Sequence, residues 1–98
     1  MLGIMSEPAK LVIVGRKPLI RYVTACITVF NRGESEIALI ARGRSIPACI
    51  DTVHLLRKAF KKNLVVKDIM IWSEQYEKMG RRRYISYMKI LIAQAQTR

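Results

Sequence analysis

The chain is poor in acid. Seven Asp and Glu stand against 18 Lys and Arg in 98 residues, a formal net charge of +11. A surface so dominated by one sign attracts polyanions, so the expected partner is a nucleic acid or an anionic membrane surface. Cysteine and histidine are scarce too. Cys26 and Cys49 have neither CxxC nor zinc-ligand spacing, and His54 is the single histidine, so neither a metal nor a cofactor is expected. Both cysteines fall at apolar helical positions and read as core thiols; the alternative, a disulfide between two helices, belongs to a hyperthermophilic source. Long apolar runs are missing. The longest, "YVTACITVF" from Tyr22 to Phe30, falls far short of the roughly 20 residues that span a bilayer. "MLGIM" is too short for a signal-peptide core and lacks a basic start. The expectation is a cytoplasmic chain of one domain over residues 1–98, with residues 1–9 flexible. At 51% hydrophobic it has enough apolar material for a small core.

Repeats and low-complexity tracts are also absent, and what is present alternates between strands and helices. "KLVIVG" (Lys10 to Gly15) is a β-rich run ending in glycine, and reads as a buried strand. Pro18 suits the first turn of a helix, where its missing N–H costs nothing. Ile20, Val23, Ile27 and Phe30 then form a helical stripe, and Gly33 supplies a left-handed stop. "EIALIARG" (Glu36 to Gly43) is a second strand. Ser45 is a candidate N-cap, Pro47 sits in the first turn that follows, and Cys49, Val53, Leu56 and Phe60 recur at helical spacing as far as about Lys62. Asn63 is placed to cap that end. "NLVVKDIMIWSEQYE" and "YISYMKILIAQ" flank "KMGRRR" and read as a long β-hairpin with a basic tip. The spacing from Val66 to Ile69 breaks the period of two, which predicts a bulge near Lys67 and Asp68. The order is β-α-β-α-β-β, an α/β (α+β sandwich) fold. Right-handed crossovers would put both helices on one face of a four-stranded mixed sheet.

The basic residues gather at two addresses. Arg16 and Lys17 lie in the first strand-to-helix turn, and Arg42, Gly43 and Arg44 in the second. Parallel strands would bring both turns to one edge, each at a helix N-terminus that favours an anion. Gly15 and Gly43 would let a phosphate approach the backbone. The two turns together predict a phosphate-binding rim, with a merely solvated basic loop as the plain alternative. The second address is Lys78, Arg81, Arg82 and Arg83 at the hairpin tip, where a projecting ribbon suits the narrow minor groove of duplex DNA. Trp72 reads as packing or a subunit contact, while Tyr76 and Tyr84 stand between packing and stacking on RNA bases. An enzyme is the competing class, but His54 reads as a surface residue and no serine or cysteine has a nucleophile's surroundings, so no catalytic residue is expected. A membrane-surface protein is a third class. Its usual device is a basic amphipathic helix, whereas much of the charge here lies in turns.

"VIVGRKPLIRYV" (Val12 to Val23), "EIALIARGRSI" (Glu36 to Ile46), "CIDTVHLLRKAF" (Cys49 to Phe60) and "KDIMIWSE" (Lys67 to Glu74) together resemble the Alba proteins, small basic chromatin and RNA-binding proteins of archaea. The resemblance implies a fold like the C-terminal domain of the third bacterial translation initiation factor. It implies a homodimer with two hairpin arms, or pairing with a paralogous Alba chain. Such a dimer would coat and compact double-stranded DNA without strong sequence preference and also bind RNA, as a chromosome-associated protein. A specialised RNA-binding paralogue is the alternative. It further implies that Arg16, Lys17, Arg42 and Arg44 contact the backbone while the arm reaches a minor groove, and that Phe60 joins neighbouring dimers. Position 16, usually lysine in the family, is arginine here, which excludes acetylation there. Lys17 remains open to acetylation, which would remove one charge.

Overall fold

The computed structural model describes residues 9–60 and 63–95, with the side chain of Phe60 outside the described part. Its elements are β1 (Lys10–Ile13), α1 (Leu19–Asn31), β2 (Glu36–Arg42), a 3-10 turn (Gly43–Ser45), α2 (Ile46–Phe60), β3 (Leu64–Lys78) and β4 (Arg81–Gln94). The expected flexibility of residues 1–9 falls almost wholly outside the described residues, as does the expected continuation of α2 to Lys62.

The strands lie in the order β1-β2-β4-β3. β1 runs parallel to β2, as the intervening α1 crossover requires, and β4 inserts antiparallel between β2 and β3. Residues of alternate parity on one sheet face (Ile37, Leu39, Ala41, Ile90, Ile92) join Tyr22, Val23, Cys26 and Phe30 of α1 and Cys49, Val53 and Leu56 of α2 in one buried cluster. Both helices therefore cover the same face. Among the described residues Thr52 is the one buried polar residue, and its hydroxyl donates to the Ala48 carbonyl at 2.7 Å, which offsets the cost of its burial.

Several local expectations are corrected by packing. β1 is shorter than its apolar run, although the Val14 N–H still donates to the Ile40 carbonyl at 2.8 Å. Pro18 is the N-cap of α1 and not a first-turn residue. Ile20 is exposed, and Tyr22 and Cys26 join Val23 and Phe30 in the buried stripe of α1. Ser45 directly precedes α2 as the last residue of a 3-10 turn that starts at Gly43, whose φ is positive (54°). Gly33, with φ 97°, does close α1, its N–H donating to the Phe30 carbonyl at 3.0 Å.

The hairpin is longer and tighter than its sequence suggests. β3 and β4 pair from Leu64↔Gln94 out to Lys78↔Arg81, leaving only Met79 and Gly80 as the turn. Both have positive φ (53° and 75°), the signature of the type I′ turn whose twist matches the flanking strands. The register shift between Val66 and Asp68 is the expected bulge, with Lys67 as the extra residue. The ammonium of Lys67 donates to the Glu36 carboxylate, which ties the bulge across β4 to the start of β2.

Candidate nucleic-acid interface

β1 and β2 are parallel neighbours, so their carboxyl ends open on one edge of the sheet. Arg16, Arg42, Gly43 and Arg44 line a single cleft there. Lys17 is exposed beside it but does not line it. Arg16, Lys17, Arg42 and Arg44 are all exposed, and among the described residues none is held in an ion pair, since the one ion pair is Lys67–Glu36. Their charge is therefore available to an external anion.

The backbone of the first turn is built differently from the expectation. The Gly15 and Lys17 N–H groups both donate to the hydroxyl of Tyr22, each at 2.9 Å. Those donors are spent inside the protein and are not offered to a phosphate. A Cβ at Gly15 would stand 3.4 Å from the Tyr22 hydroxyl, in ordinary van der Waals contact. The turn presents cations from side chains on a backbone clamped from below. Tyr22 escaped sequence reasoning, since it sits inside an apolar stripe. The available signal was that a tyrosine at a buried helical position needs a partner for its hydroxyl.

The arm is sorted by face. Only Tyr87 to Ala93 of β4 pair with β2. The ribbon beyond, 73–78 and 81–86, projects about 20 Å at the usual strand rise. Trp72, Tyr76 and Lys78 share one face with Tyr87, Arg83 and Arg81, through the pairs Trp72↔Tyr87, Tyr76↔Arg83 and Lys78↔Arg81. Tyr76, Lys78, Arg81 and Arg83 line a second cleft at the tip. Arg82 lies on the opposite face, paired in register with Glu77. The structure thus groups three of the four tip cations and separates the fourth. Trp72 stacks on Tyr87 with ring centres 5.3 Å apart and planes 5° from parallel, and its Nε1–H donates to Glu74 at 3.3 Å. Tyr84 is exposed on Arg82's face. His54 and Asp51 are exposed on α2. Cys26 and Cys49 are free buried thiols, both pushed up from the ordinary thiol range by burial, Cys26 to about 12 with an added contribution from Cys49 and Cys49 to about 11.

A helix-backed sheet with a cationic edge and a protruding basic ribbon defines a class of small β-α-β-α-β-β domains. The Alba family profile matches residues 10–71. The DNA/RNA-binding protein Alba 1 of Archaeoglobus fulgidus is 39% identical over 82 residues, covering 84% of this chain and 92% of that protein. The DNA/RNA-binding protein Alba of Methanothrix thermoacetophila is 44% identical over 63 residues, 64% of this chain and 71% of that one. The chain belongs to the Alba family. Among solved structures, Alba from Thermoplasma volcanium superposes with a TM-score of 0.79 at 26% identity, covering 87% of this chain and 100% of that one. ALBA1 from Trypanosoma brucei shares the fold, with a TM-score of 0.68 at 23% identity over 92% of this chain and 73% of that one. Among the described residues, no helix is long and apolar enough to cross a membrane.

Proposed function

We propose that this protein binds nucleic acid through the phosphate backbone, coating and compacting double-stranded DNA as a dimer and also binding RNA. The observation that carries the reading is the cleft at the sheet edge, where Arg16, Arg42 and Arg44 converge with no ion-pair partner among the described residues. Lys17 adds charge beside it, and Lys78, Arg81 and Arg83 extend it along one face of the arm. The names of the archaeal relatives, DNA/RNA-binding proteins, support the same reading. No helix carries a set of Asn, Gln and Arg suited to reading base edges in a major groove, so binding is sequence-blind. Acetylation of the exposed Lys17 would weaken it by removing one cation.

A second copy of the chain is proposed to cover the side where β3 runs beyond the helices. Ile69 and Ile71 share the face of buried Ile90 by register, yet Ile71 is 74% exposed. Ile50 and Leu55 of α2 are exposed as well. Phe60, the last residue of α2, is proposed to join neighbouring dimers along the duplex.

The test is the salt dependence of binding to a random-sequence duplex. If a dimer neutralises about 6 to 8 phosphates, log K falls against log salt with a slope of about −0.9 per phosphate. A flat response, or about a hundredfold preference for one duplex sequence, rules the reading out.

A further inference from the structure

The arginine cleft has a second kind of wall. Ile13, Ile85 and Tyr87 line it together with Arg16, Arg42 and Arg44, around a volume of about 680 Å³. Ile13 is 69% exposed on the sheet face that no helix covers. Packing does not require an isoleucine there, and a duplex backbone resting on the arginines does not use one. Tyr87 belongs to two structures at once, stacking on Trp72 and bordering the cleft. The cleft therefore joins guanidinium groups for a phosphate to a flat ring and aliphatic carbons for an apolar plane. Its volume lies in the range of sites that hold small organic molecules.

A nucleotide carries both complementary parts, but in a duplex its base is hidden in the stack. An unpaired nucleotide offers phosphate and base together, and RNA bulges, loops and ends are where unpaired bases are available. We propose that this cleft holds one unpaired nucleotide of an RNA, with its phosphate on Arg16, Arg42 and Arg44. The base lies against Ile13 and Tyr87 and extends the Trp72–Tyr87 stack. This rests on the phosphate-binding reading above and adds a site that discriminates between nucleic acid structures.

The test uses the full chain at one salt concentration and two RNA probes, a perfect duplex and the same duplex with a single 2-aminopurine bulge. The bulged probe binds about tenfold more tightly, as one base–aromatic stack allows, and its fluorescence is quenched on binding. Ile13→Ser and Tyr87→Leu each remove that preference and leave duplex affinity within about twofold, since neither adds nor removes charge. Ile13 is exposed, so its variant keeps the test decisive if Tyr87→Leu unfolds. Equal affinities without quenching, alongside salt-dependent binding of both probes, overturn the nucleotide site while the backbone reading stands. No salt-dependent binding of either probe overturns both.

Discussion

Replacing Tyr22 by phenylalanine removes a single oxygen from a buried side chain, and that oxygen accepts two backbone hydrogen bonds. The ring stays, so apolar packing in the core is nearly unchanged. What is lost is the clamp on Gly15 and Lys17, two bonds of 2.9 Å, both partly buried. A net hydrogen bond contributes about 1 kcal/mol, and a stranded buried donor costs more, so the variant should lose about 2 kcal/mol. In a domain of this size that lowers the melting temperature by roughly 10 °C. Binding should weaken as well, because the turn carrying Arg16 and Lys17 must then be ordered on the ligand, a loss of roughly threefold to tenfold. Thermal unfolding and duplex affinity at one salt concentration measure the two effects. A melting temperature within about 2 °C of wild type would refute the clamp. Unchanged affinity in a destabilised variant would show that the turn's order does not matter to the ligand.

Arg42→Ala with Arg44→Ala should weaken duplex DNA and structured RNA alike, whereas alanine at Arg81, Arg82 and Arg83 should weaken DNA more, because the A-form minor groove is wide and shallow; equal losses on both would reduce the arm to another phosphate contact. Within the arm, Arg83→Ala should cost more affinity than Arg82→Ala, since Arg83 shares the face of Lys78 and Arg81 while Arg82 is opposite Glu77; paired binding isotherms decide. Met79→Asn should stabilise the hairpin by about 0.5–1 kcal/mol, as asparagine tolerates the left-handed φ of 53° better than methionine, and a denaturant midpoint that does not rise contradicts the turn geometry. The buried thiols have pKa values raised from 9.0 to about 12 and about 11, so the fold favours their protonated form. Their contribution is full below pH 9, declines above it, and is lost as pH rises through those values. Replacing both Cys26 and Cys49 by alanine should flatten the fall of the denaturant midpoint above pH 9, and an unchanged fall would assign it to other groups.

The order of elements was legible because each uses strong local signals. Gly33 stops α1, the strands are rich in branched residues, and the broken alternation after Val66 marks the bulge. The two basic turns were legible as well, since a glycine between a strand and a helix with cations beside it is a local pattern. What was not legible depends on contacts distant in sequence. Ile20 and Tyr22 compete for the buried side of α1, and Tyr22 takes it, its hydroxyl bound to the Gly15 and Lys17 N–H groups. Gly15 looks like an opening for a phosphate until its N–H is seen to be taken by the Tyr22 hydroxyl. The run Arg81-Arg82-Arg83 reads as one tip cluster, but strand alternation splits it once the turn is known to be only Met79-Gly80.

Lys67 is a single extra residue, and its bulging out of the ladder keeps the arm in phase with the core. Before it, Leu64 and Val66 point toward the helices; after it, the inward parity passes to Ile69 and Ile71. Carried outward, this switch sets Tyr76 and Lys78 beside Arg83 and Arg81, and sends Glu77 to the far side with Arg82. If Lys67 took a place in the ladder instead of bulging from it, the strand would face a conflict. Keeping Leu64 buried would bring Glu77 into the row of cations; keeping the cations together would turn Leu64 out to water. The bulge near the foot of the ribbon thus satisfies the demand of the core and the demand of the polyanion in the same strand.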